Sequence, residues 1–246
     1  MASVLVPLPD TDFDTTEVAV PWKLLRDAGH EVVFMTEKGG VKPSCDPLLL
    51  TGVIFGQLGA ADEPKRFYEE LQSDASYSAP KSWETLDVGA FDALLMPGGH
   101  APGMRQYLGS EALFRQIIAF HKLSRPVAAI CHGVLPLARA VDPATGKSVL
   151  HGTKTTCLPK YMERSAYFLT AWKLGRYYRT YDAYVEDEVR AALASPDDFV
   201  RGPRTLSARG TRDDDGPAFV VEDGRYVSAR WPGDAYLFAK KLIERL

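Results

Sequence analysis

Pro126-Val127-Ala128-Ala129-Ile130-Cys131-His132-Gly133 runs from a short apolar stretch straight into a Cys-His-Gly turn, and a helical pattern follows from Gly133 to Val141. Arg125 to Ile130 reads as a strand covered on both faces, as a central strand of a parallel sheet is. A strand that gives way at once to a helix, with a reactive side chain at the junction and small residues around it, is the pattern of a nucleophile elbow. Such a turn projects its side chain clear of the sheet. It also sets Cys131 at a helix N-terminus, where free N–H groups and the helix dipole favour an anion. Those conditions lower a thiol pKa to roughly 3.5–7.5. The bland use of the same cysteine is as a small buried hydrophobe at a strand end.

Working outward, Ala90 to Met96 is a second buried strand, and it stops at Pro97-Gly98-Gly99. Ligand crevices in doubly wound sheets lie at the carboxyl ends of the strands. Two such ends, one with a cysteine and one with a glycine pair, are expected to face each other. The N–H groups of Gly98 and Gly99 would then contribute to an oxyanion hole with those of the Cys131 turn. The plain alternative is that the glycines only end a strand.

The rest of the chain fits an alternation of strands and helices. Ala2–Leu8 and Glu31–Thr36 read as strands around a helix over Thr15–Ala28, with Val18, Trp22 and Leu25 on one face, a cap among Asp14, Thr15 and Thr16, and Gly29 as its end. This is a βαβ unit, so the first pairing is parallel. Lys38–Ala61 is a Gly- and Pro-rich connection with apolar inserts at Leu48–Leu50 and Val53–Phe55. Helices are expected over Glu63–Leu71, Glu111–Lys122 and Asp234–Leu246. Thr153–Cys157 is β-branched and reads as a strand. Phe219–Glu222 and Arg225–Ala229 read as two strands joined at Asp223-Gly224. Residues 159–195 are aromatic and helical, an insertion packed on the sheet, and Arg209–Gly216 is a charged loop. The expected architecture is a single α/β domain over residues 1–246 with one doubly wound, mostly parallel sheet.

The chain has 246 residues, 46% of them apolar and 25% charged, with a formal net charge of −3. No basic excess points to nucleic acid or an anionic membrane. No apolar run is long enough to span a bilayer. The three cysteines, Cys45, Cys131 and Cys157, are too few for a disulfide framework, and Met1–Asp10 is not patterned as a signal peptide, so a cytoplasmic protein is expected. His30, His100, His121 and His151 show no metal-ligand spacing, so no metal site is expected.

The set Glu17, Pro97-Gly98-Gly99-His100 and Ala129-Ile130-Cys131-His132-Gly133 resembles the ThiJ/PfpI superfamily, a branch of the class I glutamine amidotransferase-like, flavodoxin-like folds. The resemblance extends to Arg230-Trp-Pro232-Gly233 before the last helix. Within that superfamily the chain is most similar to the heat-shock chaperone/glyoxalase III branch, on its length, on Asp142-Pro-Ala-Thr-Gly146-Lys147 with Gly152-Thr-Lys-Thr-Thr156 after the elbow, and on Glu163 downstream.

The resemblance implies a Cys-His-Glu triad of Cys131, His132 and Glu163, with Glu163 orienting the imidazole, and makes Glu17 the acid that bonds the thiol and shuttles protons. His100 would line the pocket. Set against these roles, Glu163 between Lys160 and Arg164 also reads as a solvated helix residue, and Glu17 as a helix-start glutamate serving the dipole. The implied activity is glutathione-independent conversion of a small carbonyl substrate, a 2-oxoaldehyde such as methylglyoxal, to a hydroxy acid, without a cofactor. An amidase- or peptidase-type hydrolase and a stress-response chaperone or redox sensor are the other readings. A homodimer is compatible with the resemblance, and no residue pattern requires it. The stretch 159–216, including Arg209-Gly-Thr-Arg-Asp-Asp-Asp215, matches no family pattern residue by residue.

Overall fold

The computed structural model describes residues 1–53, 58–179, 181–205 and 207–246; Ile54 and Phe55 of the second apolar insert lie outside them. β1 (Ser3–Pro7) and β2 (Glu31–Thr36) pair in parallel from Ser3 opposite Glu31 to Pro7 opposite Met35. The helix Thr15–Asp27 connects them. It starts where Asp14 accepts hydrogen bonds from the Thr16 and Glu17 N–H groups at 2.8 and 3.0 Å, which satisfies two of the donors a helix start leaves open. A two-residue strand, β3 (Lys81–Ser82), edges β2. β4 (Ala93–Met96) and β5 (Val127–Ile130) continue the sheet on the other side of β1.

β6 (Val141–Asp142) and β7 (Lys147–Ser148) form a small antiparallel hairpin outside the main sheet. β8 (Val220–Asp223) and β9 (Tyr226–Ala229) form the hairpin expected at Asp223-Gly224, and β9 lies parallel against β5. The seven-stranded order is β3-β2-β1-β4-β5-β9-β8, with β8 alone antiparallel. This is the doubly wound α/β sheet the alternation implied. Helices Asp62–Leu71 and Ala235–Ile243 pack on Thr15–Asp27 along one face, and Glu111–His121, Val134–Arg139 and Val185–Ala192 associate on the other. With helices on both faces, Ala128, Ala129 and Ile130 of β5 are completely buried.

The chain goes from β1 to β2 on one side and later returns to β4 on the other. The strand order therefore reverses between β1 and β4, the place where α/β sheets open a crevice. The expected strand Thr153–Cys157 does not form. Thr155 makes one bridge to Phe199, and the Thr156 N–H donates to the Ser228 hydroxyl at 2.9 Å in place of a strand carbonyl. Within 159–195, helices run over Lys160–Leu174 and Val185–Ala192. No helix among the described residues is long and apolar enough to cross a membrane.

Candidate active site

The elbow is built by close approach of two backbone turns. Cys131 takes φ +58°, a left-handed conformation that a side chain rarely adopts and that marks a strained, over-determined position. Gly133 sits so tightly against the Met96 carbonyl that a Cβ there would fall inside van der Waals contact. At Gly98 a Cβ would meet the His132 nitrogen at 2.8 Å and the Ile130 oxygen at 2.9 Å. The glycines thus let the ends of β4 and β5 touch, and the two turns do face each other.

The β1 end joins them through the start of the first helix. The Asp14 N–H donates to the Gly98 carbonyl at 2.9 Å, and the Gly98 N–H donates to Glu17 Oε2 at 2.8 Å. Glu17 has no solvent exposure, and its Oε1 is buried without a nitrogen or oxygen partner. The hydrogen-bonding neighbour left for this carboxyl is the Cys131 thiol. The expected oxyanion role of Gly98 is thereby corrected, because its N–H is already engaged by Glu17. The N–H of His132 is the backbone donor that acts on the Cys131 sulfur, and Gly99 lines the cavity floor.

Electrostatics also revise the expected thiol. Burial pushes Cys131 well up, the carboxylates of Glu17 and Asp14 push it further, and the His132 N–H acts against them. Burial likewise holds Glu17 well above the carboxylate range, with Asp14 adding to the effect. Two acids in one dry site cannot both ionise, so the pair keeps a proton between them. The helix-start effect that predicted a depressed thiol is outweighed by desolvation and by these neighbouring acids.

His132 Nδ1 lies 3.5 Å from Cys131 Sγ, and burial, with His100 and Arg139 adding to it, keeps the imidazole neutral. His100 stacks edge-on to His132 with centroids 5.5 Å apart, and burial holds it down to about 4. Glu163 does not complete a triad with this histidine. Its Oε2 accepts from the Val185 N–H at 3.0 Å and its Oε1 from Arg179 at 3.2 Å, with no hydrogen bond or ion pair to His132. The ring faces two partners whose proximity disfavours its charge, and burial outweighs Arg179 to raise Glu163 to about 7. Glu163 does line the same cavity as Cys131.

That cavity measures about 500 Å³. Gly99, His100 and Cys131 form its floor, and Met162, Phe168 and Leu169 supply an apolar wall from the helix Lys160–Leu174. Asp14, Tyr178, Arg209 and Trp231 also reach it, and none of these was expected as a site residue. Asp14 signalled itself only as a helix cap. Arg209 lay in a loop without a motif, although Trp231 sits inside the Arg230–Gly233 stretch that carried part of the family resemblance. Cys157 is buried in the core, and Cys45 is buried, its N–H donating to the Tyr68 hydroxyl at 3.2 Å. Among the described residues, no three of His, Cys, Asp and Glu gather in a way that could hold a metal ion.

The assembled floor offers a thiol and a neutral imidazole from the turn after β5 and a buried acid from the helix after β1, a set able to add sulfur to a carbonyl and move protons around the adduct. Comparison with known proteins places it. A deglycase of Pyrococcus abyssi is 26% identical over 234 residues, covering 95% of this chain and 93% of that relative. Protein/nucleic acid deglycase 2 of Escherichia coli is 28% identical over 159 residues, 64% of this chain and 72% of its own. The structure of glyoxalase III from Candida albicans shares the fold with a TM-score of 0.72 over 100% of this chain and 97% of that one, at 21% identity. A family model described as ThiJ/PfpI family-like matches residues 8–203, and with the fold and the three converging strand ends this shows that the chain belongs to the ThiJ/PfpI family.

Proposed function

We propose that this protein is a cysteine-dependent, glutathione-independent glyoxalase acting on 2-oxoaldehydes. The observation that carries the reading is the Cys131–Glu17–His132 floor. A thiol that burial keeps protonated lies beside an acid with one unpartnered oxygen and 3.5 Å from a neutral imidazole nitrogen. In the first step the sulfur bonds to the aldehyde carbon and the thiol proton passes to the carbonyl oxygen by way of His132 or Glu17, giving a hemithioacetal. The base then takes the proton from that carbon, forming an enediol. Its return to the neighbouring carbon leaves a 2-hydroxy thioester. Water cleaves the thioester, releasing the 2-hydroxy acid and restoring the thiol. The sum is addition of one water to the oxoaldehyde, with no external oxidant, reductant or cofactor.

Removal of a carbonyl adduct from an amine is the second reading, favoured by the deglycase names of the Pyrococcus and Escherichia relatives. It begins with sulfur on the same carbon and differs in that an amine leaves. In either case Glu17 is the proton shuttle, Cys131 the nucleophile and His132 the base. Glu163 is a positioning residue that ties the helix Lys160–Leu174 to Arg179 and Val185.

The test is lactate formation from methylglyoxal without glutathione. Wild type turns over, and Cys131→Ala, folded to the same melting temperature, does not. A reduced, folded wild type that makes no lactate overturns the glyoxalase reading. Amine release from a glycated amino acid by that same preparation then supports the second one.

A further inference from the structure

We propose that Arg209 is a carboxylate anchor, so that the substrate of this cavity carries a carboxylate on an apolar body in addition to the carbonyl that meets Cys131. The inference deepens the proposed function and rests on it for which wall of the cavity reacts. Methylglyoxal alone leaves most of a 500 Å³ space empty. The larger part of the lining is apolar, and Phe168 and Leu169, at its edge, remain 64% and 56% exposed. Such a wall suits a hydrocarbon chain or ring.

Arg209 lines the cavity, whereas Arg164 and Arg204, which like it have no ion pair among the described residues, stack on Phe168 and Tyr161 and do not line it. Arg139 pairs with Glu188, Arg179 with Glu163, Arg201 with Glu186 and Arg230 with Asp234. No carboxylate among the described residues lies within ion-pair distance of Arg209. Its guanidinium carbon instead stacks 4.9 Å from the centre of the Trp231 ring. A half-buried guanidinium without a paired anion is costly unless an anion arrives, and burial here does push its pKa down, with the charges of Asp14 and Glu17 opposing that shift.

The position is held firmly. The next residue, Gly210, donates its N–H to the Gly233 carbonyl at 2.8 Å. The buried Arg230–Asp234 pair at 2.8 Å and the bond from Arg230 to the Pro203 carbonyl at 2.6 Å tie the chain on either side of this contact. Arg209 lines the cavity, and a guanidinium carries paired N–H groups that meet two oxygens side by side, the arrangement a carboxylate offers. The carboxyl groups of Asp14 and Glu163 line the same cavity, which disfavours a dianionic phosphate and favours a single negative charge.

Binding of inert aromatic probes tests this by calorimetry. Wild type binds 2-naphthoate tighter than the isosteric 2-naphthamide by about tenfold or more, the size expected of a charge-assisted pair. In Arg209→Met the ratio collapses towards one, and in Arg209→Lys, which keeps the charge and loses the fork, it is intermediate. Equal affinities in wild type, no binding of either probe, or an undiminished ratio in Arg209→Met overturn the anchor. Tighter binding of 2-naphthyl phosphate than of 2-naphthoate overturns the carboxylate class. If Arg209→Met fails to fold, the wild-type ratio and the Arg209→Lys ratio still decide. Neither probe carries an electrophile, so failure here is read separately from failure of methylglyoxal turnover.

Discussion

The floor and the wall of the cavity are organised by different kinds of contact. At the floor, β1, β4 and β5 end in turns that touch mainly through backbone, Asp14 on Gly98 and Gly133 against Met96, with the Glu17 carboxyl group accepting from the Gly98 N–H. The wall, from the segment between 158 and 210, is tied by charged side chains. Glu163 holds Arg179 and Val185, Glu186 holds Lys160 and Arg201, and Asp46, far off in sequence, accepts from Tyr177 and Tyr178 at 3.2 Å. Backbone packing has one solution for a given strand order, whereas a side-chain network can be rebuilt in many ways on one sheet. The floor is thus suited to keep a chemistry and the wall to choose what enters.

The sharpest way to break this contrast is Gly133→Ala. One methyl group must displace the Met96 carbonyl, which is backbone in a central strand and cannot swing away. The expected cost is about 3 kcal/mol or more, read as a fall in the urea midpoint, with loss of turnover in whatever remains folded. A variant that unfolds at the wild-type midpoint shows that the two turns are not pressed together.

How much of this could be read from the sequence follows the same division. β2 spans Glu31–Thr36 as expected, and the Cys131 and Gly98 turns were visible because each is written within a few neighbouring residues: apolar run, breaker, reactive side chain. Glu17 was reachable from the helix start and the family resemblance. What the sequence hid depended on distant partners. Thr153–Cys157 has strand composition, yet its amides are claimed by Ser228 and by the Asp198 carbonyl. The acceptor at Gly98 was Glu17, so a turn that looked like an oxyanion hole was already occupied. Glu163 lies downstream of the elbow as the family resemblance implied, but Arg179 and Val185, which no pattern connects to it, take its oxygens. The two-residue β3 is too short to carry any periodicity.

Glu17→Gln sharpens the contrast from the chemical side. The amide oxygen can still accept from Gly98, so the floor keeps its shape, but the group can no longer give up and retake a proton. Removing a positioned proton shuttle lowers kcat by about 10²-fold or more. Thermal unfolding of the variant stays at or above that of wild type, since a buried acid has been replaced by a neutral isostere. If kcat is unchanged, His132 alone moves the protons and Glu17 is a structural acceptor. If kcat falls only together with stability, the substitution has damaged the floor and not the shuttle.

The smallest effect expected separates the wall from the floor by its pH dependence. Glu163 is raised from an ordinary value of 4.5 to about 7 in the folded protein. Between those two values the folded chain holds a proton that the unfolded chain has lost, so this group makes wild type less stable as pH rises through the window. Glutamine does not titrate. Glu163→Gln gives up a charge that wild type carries only above about pH 7, and its stability relative to wild type climbs between about pH 4.5 and 7, by on the order of 3 kcal/mol in total. Urea midpoints of both proteins at four pH values across the window measure the slope directly. A flat difference means that Arg179 compensates the burial of Glu163 fully and the wall carries its charge at neutral pH. A drop in kcat as large as that of Glu17→Gln, with the slope absent, would return Glu163 to the side of His132. The rising slope with a smaller loss of kcat is what a carboxyl that holds the wall in place, outside the proton path, must produce.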